Sequence, residues 1–267
     1  MDKDLQRRVI FGVIALAIFI PILMMGGPLL QIGMGLLAML GVHELLQMKG
    51  LRTTTLEGIL AMLAAFVLTI PLENYLKFLP VDGNVVAYSL VVFILLGSTV
   101  LGKHYSFEDA AYPIAASFYV GIGFNALLDA RIAGFDKVLL ALFIVWATDS
   151  GAYLVGRRYG VHRLAPHVSP NKTVEGSLGG IVSAVLVTFI FMLFDKNVAA
   201  PHHLPIMLLF AVFFSIAGQF GDLVESAIKR HFGVKDSGKF IPGHGGVLDR
   251  FDSMLFVFPL MHFFGLF

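Results

Sequence analysis

Apolar residues fall in long, unbroken runs along this chain, without the alternation of a barrel strand. Nine runs stand near 20 residues, at about 9–25, 28–47, 56–72, 85–102, 110–130, 136–156, 176–195, 203–228 and 251–267. A run of about 20 apolar residues crosses the ~30 Å hydrocarbon layer as a helix. Only helices and closed barrels satisfy their own backbone there. The pattern therefore predicts an all-α, polytopic integral membrane protein of about nine transmembrane helices. Five spans fill residues 1–135, and a C-terminal region of four spans, 136–267, carries two polar motif loops. The first run follows Lys3, Arg7 and Arg8 and continues into Gly26-Gly27-Pro28 with no small-x-small cleavage pattern. It reads as an uncleaved first span and not as a signal peptide.

Composition narrows the picture. Of 267 residues, 57% are hydrophobic and 14% are charged, and the mean hydropathy is +0.84. Soluble domains carry about 25% charged residues, so a disordered chain is excluded and the composition argues strongly against a soluble globule. The absence of Cys removes a disulfide scaffold, a Cys-ligated metal and a thiol nucleophile. A net charge of +1 gives no reason to expect nucleic acid as a partner. The placement of charge says more than its sum. With the N-terminus inside and nine crossings, fifteen of the nineteen Lys and Arg residues fall on the inside. The positive-inside rule then predicts a multi-pass protein of the cell membrane, with its N-terminus and both motif loops cytoplasmic.

Ionisable residues in or beside spans are costly and mark function by default. Late in the eighth run, Asp222, Glu225, Ser226 and Lys229 recur at i, i+3, i+4 and i+7, forming one polar helical stripe that ends at Arg230. This arrangement suits either an active-site face or a helix end laced with ion pairs. Lys235 to Gly246 follows, too rich in Gly and Pro for a regular helix. Its Lys residues and close-approach backbone suit phosphate, although the spacing is not that of a Walker A loop. Asp249, Asp252 and Ser253 then fall on one face of the opening ninth helix. They form either an Asp–Arg bridge with Arg250 or, with Asp222, an all-oxygen cluster suited to Mg²⁺.

The other inside loop is similar. Asp149 and Tyr153 lie one turn apart on the sixth span, where Gly151, Ala152 and Gly156 permit close helix packing. Ser169, Asn171, Lys172 and Thr173 precede a Gly-rich helix start. They form either an anion site or an N-cap over a packing face. His43-Glu44 in the second span is expected to make a buried helix–helix hydrogen bond. His202-His203 has no matching ligands and is not read as a metal site. Together, carboxylates, basic residues and Gly loops point to Mg²⁺-dependent phosphoryl or nucleotidyl transfer, with a lipid as one substrate.

The segment from Ser226-Ala227-Ile228-Lys229-Arg230 through Lys235-Asp236-Ser237-Gly238 to Ile241-Pro242-Gly243-His244-Gly245-Gly246-Val247-Leu248-Asp249-Arg250-Phe251-Asp252 resembles the signature of the bacterial phosphatidate cytidylyltransferase (CDP-diacylglycerol synthase) family. The specific resemblance covers roughly residues 140–253. It implies that CTP and phosphatidic acid become CDP-diacylglycerol and pyrophosphate in phospholipid biosynthesis, carried out by a homodimer set in the lipid bilayer. It further implies that Asp222 and Asp249 hold Mg²⁺, with Asp252 and Asp149 in support and room for a second, monovalent cation. Lys172, Lys229, Arg230, Lys235 and Arg250 would clamp phosphates, and His244 would donate to the nucleotide or leaving group. Ser169, Asn171, Thr173 and Ser226 complete the expected substrate contacts. A CDP-alcohol phosphatidyltransferase would carry a different Asp-rich pattern, which Asp129-Ala130-Arg131 does not match. A secondary transporter would show two related halves with a midplane site.

Overall fold

The structure is a computed structural model that describes residues 3–77, 83–101, 105–195, 198, 201–240 and 245–267. Among these residues it is mostly helical, and its one sheet is a short two-stranded hairpin. Among the described residues, each of the nine apolar runs contains helix, although the third run outlasts its helix and the ninth is interrupted. Six helices are long and apolar enough to cross a membrane: Gly27–Met48, Gly83–Val100, Phe107–Ala133, Phe135–Tyr159, Val174–Phe194 and Leu204–His231. The other three apolar stretches, Gly12–Met25, Leu56–Thr69 and Met254–Phe263, are shorter helices. The protein is therefore a multi-pass membrane protein.

The chain divides into two compact units. The first comprises Met1–Leu128 and Asp236–Arg250. It begins with α1 (Lys3–Met25) and α2 (Gly27–Met48), which are separated by Gly26. Gly26 and Gly27 have φ of 65° and 64°, so both occupy the left-handed region that suits glycine. Then come α3 (Leu56–Thr69), α4 (Gly83–Leu101) and α5 (Phe107–Ala133). The Thr55 hydroxyl caps α3 by accepting from Gly58 N–H. Met34, Ala38, Val42 and Leu46 of α2 are buried in the core, as are Ala61, Ala64 and Ala65 of α3. Small residues let the backbones approach: a Cβ at Gly35 would meet the Phe66 ring at 2.6 Å, and one at Gly121 would meet Leu68 at 3.0 Å. The Tyr112 hydroxyl of α5 donates to Leu45 C=O of α2 at 2.7 Å.

The second unit comprises Asp129–Lys235 and Phe251–Phe267. It contains α6 (Phe135–Tyr159), the antiparallel strands β1 (Arg163–Ala165) and β2 (Ser169–Thr173), α7 (Val174–Phe194) and α8 (Leu204–His231). A four-residue α9 (Leu248–Phe251) and α10 (Met254–Phe263) follow. The Gly residues of α6 and α7 face one another. A Cβ at Gly176 would meet Ala152 C=O at 2.8 Å, and one at Gly180 would meet Thr148 C=O at the same distance. The close packing expected of Gly151, Ala152 and Gly156 is present. Polar bonds tie α8 to this pair: Thr148 Oγ1 donates to Ser215 Oγ at 2.9 Å, and Gln219 Nε2 donates to Ser177 C=O at 3.3 Å.

One local expectation holds and one fails. Ser169 to Thr173 precedes the helix start as expected, as a strand of a hairpin, and Thr173 is the N-cap of α7, which begins at Val174. Asp249, Asp252 and Ser253 do not share one continuous helical face, because helix stops at Phe251 and resumes at Met254. At the break the Asp252 side chain accepts from Ser253 N–H at 2.7 Å. Such local side-chain bonds compete with helical pairing.

Candidate active site

In the second unit, sequence-distant polar residues converge on Asp222 of α8. Lys172, half-buried near the end of β2, pairs through its Nζ with Asp222 Oδ2. Ser226, one turn on, donates its hydroxyl to Asp222 Oδ1 at 3.3 Å. Asp149 of α6 and Asp252 both lie within Coulombic range of Asp222, and Lys172 is within range of Asp149. The backbone brings Asp252 close: a Cβ at Gly221 would meet Asp252 C=O at 2.6 Å. A larger residue at 221 would push the two segments apart. Three carboxylates and one ammonium thus share one region. Such a concentration of like charge is costly near apolar helices and calls for cations.

Not every residue of this set serves the same purpose. Lys229 pairs with Glu225 at i,i+4, and Glu225 is only 2% exposed. This is the ion-paired helix end that the polar stripe also allowed, although Lys229 stays within Coulombic range of Asp252. Thr173 is buried and acts as the N-cap of α7, accepting from Gly176 N–H at 3.1 Å. Its hydroxyl oxygen thus serves the start of α7. Arg230 donates to Val234 C=O at 3.0 Å at the end of α8. Asn171 and Lys235 are exposed, and Ser169 is half-buried.

The first unit holds a different carboxylate centre. Asp249 Oδ2 accepts from Ser237 N–H at 2.9 Å and from Gly246 N–H at 2.8 Å. Glu44 of α2, 3% exposed, accepts from Val247 N–H at 2.7 Å through Oε1 and from Leu248 N–H at 3.0 Å through Oε2. The Ser237 hydroxyl lies between the two acids, 2.8 Å from Glu44 Oε2 and 2.9 Å from Asp249 Oδ2. Glu44 therefore makes the buried hydrogen bond to another helix that was expected of it, at the first residue of α9, and a second one to the loop before it. Neither Glu44 nor Ser237 stood out as a site residue in the sequence. The signal available was an acid inside an apolar span, which needs a buried partner.

The Gly residues of this stretch answer to these carboxylates. A Cβ at Gly238 would stand 2.8 Å from Glu44 Oε1, and one at Gly246 would overlap both Glu44 and Ser237. Gly245 has a φ of 82°, and a Cβ there would strike Asp249. Among the described residues the Gly stretch is a cradle for two acids. Arg250 is exposed beside it. His244, expected to serve the nucleotide, lies outside the described residues.

Among the described residues, no group of three or more His, Asp or Glu side chains forms a metal cage by itself. Mg²⁺ does not require one, since it is commonly held by one or two carboxylates plus substrate phosphates and water. The all-oxygen donors around Asp222 fit that ion.

The sequence pattern of the cytidylyltransferase family matches residues 6–267. The chain is similar to proteins called phosphatidate cytidylyltransferase in three staphylococci. It is 44% identical over 262 residues to that of Staphylococcus saprophyticus and 44% identical over 264 residues to that of Staphylococcus haemolyticus. It is 41% identical over 262 residues to that of Staphylococcus aureus. Each comparison covers 97% of this chain and 98% of the relative.

Proposed function

The chain belongs to the cytidylyltransferase family, and from that membership we propose that it joins CTP to phosphatidic acid, giving CDP-diacylglycerol and pyrophosphate. The observation that carries this reading is identity of 41–44% along nearly the whole chain with enzymes named for that reaction. A phosphate oxygen of phosphatidate forms a bond to the α-phosphorus of CTP, and the bond from that phosphorus to the β-phosphate bridge oxygen breaks. The second pKa of a phosphate monoester is about 6, so the nucleophile is already ionised at neutral pH and needs no dedicated base. The barrier lies in bringing two anions together, and positioning plus charge neutralisation supply most of such catalysis.

The residues divide accordingly. Lys172 offers an ammonium to phosphate, and Asp222 holds it in place until substrate arrives. Asp149, Asp222, Asp252 and Asp249 supply carboxylate oxygen for cations. Bound Mg²⁺ would neutralise charge on the nucleotide phosphates and the departing pyrophosphate, and a monovalent cation is compatible with the same acids. Lys229, Arg230, Lys235, Arg250 and His244 are placed in the reading as phosphate contacts. The site lies on the cytoplasmic side of the cell membrane, and the working form is a homodimer.

Purified protein given labelled CTP and phosphatidate should release pyrophosphate and form CDP-diacylglycerol, and EDTA should stop it. No product from the complete mixture overturns the reading, and full activity in EDTA overturns the metal. A Lys239→Cys variant of this Cys-free chain should resist membrane-impermeant thiol reagent in intact cells. Labelling from outside would reverse the orientation.

A further inference from the structure

We infer that Glu44 is a positioning residue for the reaction, acting through Ser237 and the Val247–Leu248 backbone to fix the loop that presents Asp249. The inference rests on the transferase reading above. Four observations within the first unit carry it. Glu44 is a nearly fully buried acid on a membrane-crossing helix, a placement that is costly unless the carboxylate is engaged. Three donors converge on it from a segment two hundred residues away: Ser237 Oγ–H, Val247 N–H and Leu248 N–H. Ser237 then reaches the second acid, with both its N–H and its hydroxyl at 2.9 Å from Asp249 Oδ2. Finally, Gly238 and Gly246 pack so closely on the Glu44 carboxylate that no larger residue fits.

The chemistry of the donors specifies a carboxylate. Oε1 accepts from one backbone N–H, while Oε2 accepts from another and faces the Ser237 hydroxyl. A Gln has the same shape, but its NH₂ must oppose a backbone N–H in either flip. Opposed donors in a buried site cost the desolvation of both groups. Asp is one methylene too short. The Glu44 carboxylate thus acts as a rigid peg around which residues 237, 238 and 246–248 are set, and Asp249 inherits its orientation from them. Outer-sphere partners that orient a ligand typically matter by roughly 10–100-fold.

The test compares Glu44→Gln, Ser237→Ala and the double variant in detergent, with kcat expressed per folded protein. Each single variant should lower kcat by roughly 10–100-fold, while KM for phosphatidate stays within about a factor of two. The double variant should be no worse than the weaker single one, because both act on one network. Hydrogen exchange of the Val247 and Leu248 amides should accelerate in Glu44→Gln, with α2 amides unchanged. Wild-type kcat in Glu44→Gln, or losses that multiply in the double variant, would overturn the inference. If Glu44→Gln fails to fold, wild-type kcat in Ser237→Ala overturns it instead. Should wild-type protein itself make no CDP-diacylglycerol, the transferase reading fails. Exchange still decides the inference in that case, and unchanged amides at 247 and 248 refute it.

Discussion

Asp222 in the second unit is balanced by side chains, the Lys172 ammonium and the Ser226 hydroxyl, whereas Asp249 in the first is held by backbone N–H groups of Ser237 and Gly246. The difference separates two ways of engaging a carboxylate beside lipid. A side-chain cation on a flexible stem can leave one anion for another, so in the proposed reaction Lys172 would trade Asp222 for a phosphate without unfolding the chain. Backbone donors cannot leave without moving the chain, so Asp249 is fixed and the fold depends on it. One acid belongs to an exchangeable pair and the other to a scaffold.

Asp249→Asn breaks the comparison most severely. Its NH₂ would face backbone donors or surrender the charge that two N–H groups stabilise. Turnover should fall by at least roughly 100-fold, and thermal stability in detergent should fall with it. Near-normal activity would remove Asp249 from the site. Asp222→Asn should depress turnover by a similar factor yet leave the melting temperature close to wild type, because only a half-exposed pair is lost. A large drop in melting temperature for this variant would show that Asp222 is scaffold as well. Lys172→Met comes next. It should raise KM for CTP or phosphatidate more than it lowers kcat, and a pure kcat effect would place Lys172 on the transition state alone.

The sequence carried the helices, since each apolar run contains helix among the described residues, six of them long enough to cross a membrane, and the family signature ran through the residues now found near Asp222 and Asp249. The β1–β2 hairpin was not legible. Its strands are only three and five residues long, too short to carry an apolar alternation. The break after Phe251 was equally hidden, because Asp252 and Ser253 fit a helical spacing while their local bond favours a turn. The partners of Glu44 were out of reach for another reason. Nothing in local spacing links residue 44 to residues 237 and 247, and only the assembled first unit brings those donors to a buried acid.

The smallest effect lies at the joint that carries Lys172. Thr173 follows it directly and ends β2 while capping α7, so one residue fixes both the strand exit and the helix start. Its hydroxyl accepts from Gly176 N–H at 3.1 Å, and its side chain packs where Gly156 and Gly160 have no Cβ. Removing a cap hydroxyl costs about 1 kcal/mol, equivalent to a few degrees, roughly 2–4 °C, for a chain of this size. Thr173→Ala should therefore melt slightly earlier in a detergent thermal scan, and Thr173→Ser should recover most of the loss. If Thr173 served only the fold, kcat in the Ala variant would stay within about a factor of three of wild type, since Lys172 keeps its own pairing with Asp222. A larger loss of turnover with no change in melting would instead return the Thr173 hydroxyl to the substrate, and the exchangeable centre would then reach one residue further into the α7 start than the hydrogen bonds indicate.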